Sequence, residues 1–110
     1  MRTLLIAALL LALLVGAAPA VAKTRNIKIG DNYFVRKGSP PTVTVSKGTT
    51  VRWNWTGKNE HNVVVQKGPV HFQSPLKKTG HFSKRMTRRG TYTIICSIHA
   101  PDMRMKLKVR

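Results

Sequence analysis

Residues 90–110 read GTYTIICSIHAPDMRMKLKVR, and two runs of alternation inside this stretch decide the fold. Tyr92, Ile94 and Cys96 share one parity; Met103, Met105, Leu107 and Val109 share another, set against Arg104, Lys106, Lys108 and Arg110. A period of two, with one face apolar and the other polar, is the signature of a strand. Working outward, Thr42 to Ser46 alternates in the same way, as do Val51, Trp53 and Trp55 against Arg52 and Asn54, and His61, Val63 and Val65. Arg25 to Ile29, Tyr33 to Val35 and His81 to Lys84 are weaker strand candidates. Turn residues separate the runs at Gly38-Ser39-Pro40-Pro41, Lys47-Gly48, Thr56-Gly57-Lys58-Asn59, Gly68-Pro69 and Arg88-Arg89-Gly90. After the first 22 residues no window carries a helical stripe. Six to eight short strands predict an all-β domain, a β-sandwich or a small Greek-key barrel. Trp53 and Trp55 share the parity of Val51 and belong to its core, Met86 is packing or surface, and Pro69 to Lys78 reads as the least ordered part.

The first 22 residues read as an address. Met1 and Arg2 precede 12 unbroken apolar residues, Leu4 to Val15, and small residues follow. This is the pattern of a secretory signal peptide, with a cut after Ala20 or after Ala22. The competing reading is an uncleaved membrane anchor, since Leu4 to Ala22 is just long enough to span a bilayer; Pro19 and the small residues favour cleavage. Residues 23–110 then form one small domain, secreted to the periplasm or the extracellular space. At this length a two-domain enzyme is excluded. The chain also has no Gly-x-Gly-x-x-Gly, no Walker lysine loop, no Gly-x-Ser-x-Gly and no His-Glu-x-x-His, and it reads as a non-enzyme. Its single cysteine, Cys96, rules out internal disulfides, four-cysteine zinc sites and Cys-x-x-Cys redox pairs. An unpaired thiol in an oxidising compartment calls for a role: buried and inert, paired with another chain, or bound to a metal.

Parity and strand direction point to the metal. His61 starts a strand on the face of Val63 and Val65, and Cys96 ends one on the face of Tyr92 and Ile94. Met103 begins one on the face of Leu107 and Val109. If these strands alternate in direction, those three ends meet at one pole, where the loop Ser97 to Asp102 places His99. Taken singly, the cysteine is more often a small buried hydrophobe and each histidine a structural or surface residue; the joint pattern reverses those odds. Thiolate and thioether are soft donors and imidazole is borderline. Two His, one Cys and a weak axial Met describe a blue-copper electron-transfer site, although the same ligands accept zinc. Met105 competes for the axial place, but Met103 lies nearer the loop and Met105 fits a core layer below it. His71 and His81 lack partners at a useful spacing and read as surface or packing residues.

With Glu60-His61-Asn62-Val63-Val64-Val65, the run Gly90 to Met103, and Val45 to Val51 with Trp53, the chain resembles the cupredoxin family of the plastocyanin, amicyanin and pseudoazurin kind. The resemblance spans nearly the whole mature chain. It implies a Greek-key sandwich of about seven to eight strands, one type 1 copper on His61, Cys96, His99 and Met103, and outer-sphere one-electron transfer. It also implies a hydrogen bond from the Asn62 amide to the Cys96 sulfur that tunes the potential. Arg104 stands where many relatives have glycine after the methionine.

Charge is the second functional signal. Lys and Arg total 20 against three Asp and Glu, a formal +17, and without Arg2 the mature chain keeps 19 against three. Solubility and edge protection account for part of this. The remainder predicts anionic partners: an acidic redox protein, an anionic envelope polymer or a membrane surface, with no specific nucleic acid. The chain is expected to be a monomer. Two other functions fit the residues, a copper storage or delivery module and a basic polyanion-binding domain with a vestigial copper site.

Overall fold

The computed structural model describes residues 22–110; the address segment lies outside that range but for its last residue. Eight strands follow in order: β1 (Thr24–Gly30), β2 (Tyr33–Phe34), β3 (Thr42–Val45), β4 (Thr50–Trp55), β5 (Val64–Lys67), β6 (His81–Arg85), β7 (Gly90–Ile95) and β8 (Arg104–Val109). Among the described residues there is no helix. They form two four-stranded sheets, ordered β2-β1-β4-β6 and β3-β8-β7-β5.

The alternation visible in the sequence is what closes the sandwich. Ile27, Ile29, Val51, Trp53 and Trp55 point inward from the first sheet, and Val43, Val45, Val65, Tyr92, Ile94, Met105, Leu107 and Val109 from the second; all are buried. Met86 joins this core. Their polar neighbours face outward, most regularly in β8, where exposed and buried residues alternate without a break. Burial of this apolar surface is the main favourable term in folding.

The pairing shows the Greek-key character. β1 and β4 are parallel, as are β3 and β8, so neither pair is a simple hairpin. The chain leaves β3 through Lys47–Gly48 and enters the other sheet at β4. Gly48 has φ 93°, a conformation glycine adopts without a Cβ penalty. By contrast β5, β7 and β8 are consecutive antiparallel neighbours. The start of β5, the end of β7 and the start of β8 therefore lie at one pole.

Two expectations change in detail. His61 is not inside a strand: it forms an isolated bridge to Lys77, and β5 begins at Val64. Residues 69–78, expected to be the least ordered, are irregular but firmly tied. Val64 bridges Gln73, the Ser74 amide donates to the Val63 carbonyl at 2.8 Å, and the Val63 amide donates to Ser74 Oγ at 2.9 Å. Phe72 in this segment packs on Trp53, with ring centroids 6.0 Å apart. No periodicity announces such a segment, because its hydrogen bonds run to scattered residues from His61 to Val65 rather than along a continuous ladder.

Candidate metal centre

Cys96 follows β7 directly and is fully buried. Its amide donates to the Met103 carbonyl at 3.1 Å, which extends the β7–β8 pairing by one residue. The loop between folds back on itself: the His99 amide donates to the Cys96 carbonyl at 3.3 Å, and the Met103 amide to the His99 carbonyl at 3.1 Å. His99 is thereby turned to the sulfur, with Nδ1 3.5 Å from Sγ.

His61 arrives from the other side. Its backbone is locked to Lys77 in both directions, at 2.9 and 3.0 Å, and its carbonyl also accepts the Trp55 indole N–H at 3.0 Å. The ring is buried, and Nδ1 lies 3.9 Å from Cys96 Sγ. The two imidazole rings are 5.0 Å apart at 50°. One donor atom from each of His61, Cys96 and His99 lies within 4.8 Å of the others. Two edges of this donor triangle are 3.9 and 3.5 Å, close enough for one first-row metal ion to reach all three atoms. One thiol and two imidazole nitrogens gathered this closely, on two buried residues and one half-buried residue, fit a copper ion.

A residue that sequence reasoning missed completes the arrangement. Asp31, in the turn between β1 and β2, lies 2.9 Å from His61 Nε2 through Oδ1. It also accepts the amide of Lys58 at 2.8 Å and that of Asn59 at 3.0 Å. Those hydrogen bonds, led by the Lys58 amide and then His61, hold its pKa at about 2, below the usual 3.8. An ionised carboxylate only accepts, so Nε2 carries a proton toward it while Nδ1 faces the sulfur. Space for the carboxylate comes from Gly57, where a Cβ would overlap Asp31. The turn signal at Thr56-Gly57-Lys58-Asn59 was visible in the sequence, but nothing in it indicated that Asp31 was its partner.

Met103 is buried, and its backbone stands opposite Cys96. Met105 pairs with Ile94, two residues further into the sandwich, and is core. Asn62 ties the two ligand segments through its side chain. Its amide nitrogen donates to Ser97 Oγ at 2.8 Å, and its carbonyl oxygen accepts the Ser97 backbone N–H at 2.8 Å. His71 is exposed, and His81, also exposed, has Nδ1 3.1 Å from Arg52 Nη2; neither joins the cluster. Of the three donors only His99 is half-buried, so its ring edge is the surface of the site. Beside it Ile98 is 50% exposed, a rare large apolar side chain in solvent on this chain.

Comparison with known proteins agrees with this geometry. The family profile of copper binding proteins of the plastocyanin/azurin family matches residues 24–110. A plastocyanin from Synechococcus sp. (strain JA-2-3B'a(2-13)) is 38% identical over 83% of this chain and 81% of its own. One from Prochlorothrix hollandica is 32% identical over 79% and 72%. Among solved structures, a reduced variant of amicyanin superposes with a TM-score of 0.64 at 27% identity, over 86% of this chain and 89% of its own. A copper-containing nitrite reductase from Thermus scotoductus SA-01 reaches 0.63 at 25% identity over 86% of this chain, which spans only 23% of that protein.

Proposed function

The chain belongs to the plastocyanin/azurin family of copper-binding proteins, and from that premise we propose that it is an extracytoplasmic one-electron carrier and not an enzyme. The observation that carries the reading is the burial pattern of the donors: Cys96 and His61 are sealed in the core, and His99 alone reaches the surface. Such a site has an edge for electrons to cross and no open position for a substrate. Copper bound there supplies a one-electron couple, and the mixed thiolate–imidazole set suits both oxidation states.

The remaining work belongs to the protein. His61, Cys96 and His99 would hold the ion, and Met103, whose backbone pairs with that of Cys96, would offer a further soft donor. Asp31 keeps the His61 ring oriented and in one tautomer. The Asn62–Ser97 pair clamps the segment after His61 to the residue after Cys96. Anchored ligands change little between oxidation states, which is what rapid electron exchange requires. The leader-like residues 1–22 support export.

Optical and EPR spectra of the copper-reconstituted protein test the proposal. An intense thiolate-to-copper charge-transfer band is expected, absent in Cys96→Ser. A colourless Cu(II) complex in the wild type sinks the carrier reading. Copper released to an acceptor faster than electrons are exchanged replaces it with delivery.

A further inference from the structure

The outer face of the β3-β8-β7-β5 sheet carries a pattern that the metal centre does not use. β8 lies inside this sheet, between β3 and β7. Its outward side chains Arg104, Lys106 and Lys108, continued by Arg110, make a single column of exposed cations. At two residues per step the column repeats at about 6.7 Å. Register places threonines on both flanks: Thr42 and Thr93 stand beside Lys106, and Thr44 and Thr91 beside Lys108. A depression of about 510 Å³ opens on this face, and Thr42, Lys67, Thr93, Arg104 and Lys106 contribute to its lining.

No carboxylate among the described residues lies within ion-pair distance of this column. Among the described residues the one carboxylate within ion-pair distance of a basic side chain is Asp31, and its partner is His61. The opposite sheet is different. On its outer face Arg52 bonds Asn54, which bonds Asn26, and Arg52 also meets His81, so those polar groups serve one another. Like charges in a row along an interior strand repel, and a bound anion relieves that repulsion.

We propose that this face binds a linear phosphate polymer, with the β8 cations neutralising successive phosphates and the flanking threonine hydroxyls donating to their oxygens. Position favours a polymer over an acidic redox protein. Arg104 adjoins Met103 at the metal pole, while Arg110 lies about 20 Å away at the other end of the strand. A polymer along the column leaves the His99 edge free, whereas a redox partner held on this face would sit beside the sheet and off that edge. The column is thus a tether that does not obstruct electron exchange. Its binding does not depend on the copper reading and is expected with or without the metal.

The test measures binding of the full chain to labelled long-chain polyphosphate over a series of salt concentrations. Lys106→Thr/Lys108→Thr removes two charges from the column. Lys28→Thr/Arg85→Thr removes two exposed charges from the other sheet. The column variant is expected to lose about tenfold or more in affinity and about two units of the log–log salt slope, well beyond the loss in the other variant. Circular dichroism verifies the fold of both, and Lys106→Gln/Lys108→Gln repeats the measurement if added threonines disturb the sheet. Equal losses in the two variants overturn the proposal, since overall charge then accounts for binding. It is also overturned if wild type binds polyglutamate as tightly, which makes an acidic protein the occupant. Tighter binding to phosphatidylglycerol vesicles than to the polymer puts a membrane surface there instead.

Discussion

Asp31 gathers three hydrogen bonds on one carboxylate and so joins the β1–β2 turn to the segment that enters the first ligand. Asp31→Ala is expected to weaken copper binding by roughly 10- to 100-fold, read by competition with a chromophoric chelator, and Asp31→Asn to recover part of the loss. The same residue sets an acid limit. Its pKa is lowered in the fold, so its contribution to stability is full above about pH 4 and disappears as pH falls through about 2. Denaturation midpoints of the metal-free wild type and Asp31→Asn should differ at pH 7 and converge near pH 2. The two methionines separate by their neighbours. Met103→Leu is expected to shift the reduction potential and spectrum of the copper protein with little effect on stability. Met105→Leu, in a core layer opposite Ile94, should leave the spectrum unchanged. His61, Cys96 and His99 were legible in the sequence because their donor chemistry is unusual in combination. Asp31 was not, because its role depends on a contact across 30 positions that no local pattern encodes.

At the scale of elements, the strands were legible wherever one face was buried and the other wet, as in β4 and β8. Even the weak candidate at His81 to Lys84 is a strand, β6, although its alternation is only partial because it borders solvent at the sheet edge. The segment 69–78 forms no strand, as expected, and the order it does have comes from buried polar contacts. Ser74, 2% exposed, is the clearest of these: its hydroxyl accepts the Val63 amide and donates to the Pro75 carbonyl. Ser74→Ala strands the Val63 N–H and is expected to lower the unfolding free energy by about 1–3 kcal/mol in urea titrations. Since Val63 lies two residues from His61, the same variant should also loosen copper.

Over the whole molecule the dominant quantity is charge. Nineteen basic residues follow Arg2 and face three acids, so two copies repel strongly at low ionic strength. Electron self-exchange of the copper protein, measured by NMR line broadening, is expected to quicken as salt is added, and reduction by an anionic reagent to slow. A rate insensitive to salt would place the exchanging edge outside the protein's own field. The sign of the charge was plain from composition; its concentration along one strand face became visible only with the β3–β8–β7 register.

That register also governs timing. Among the described residues β3 has β8 as its sole sheet partner, and the two strands lie far apart in sequence. A chain delivered N-terminus first leaves that edge of β3 unpaired until β8 has emerged. The donor pole is likewise complete only once β7 and β8 are paired, because Cys96 and Met103 stand at the head of that ladder.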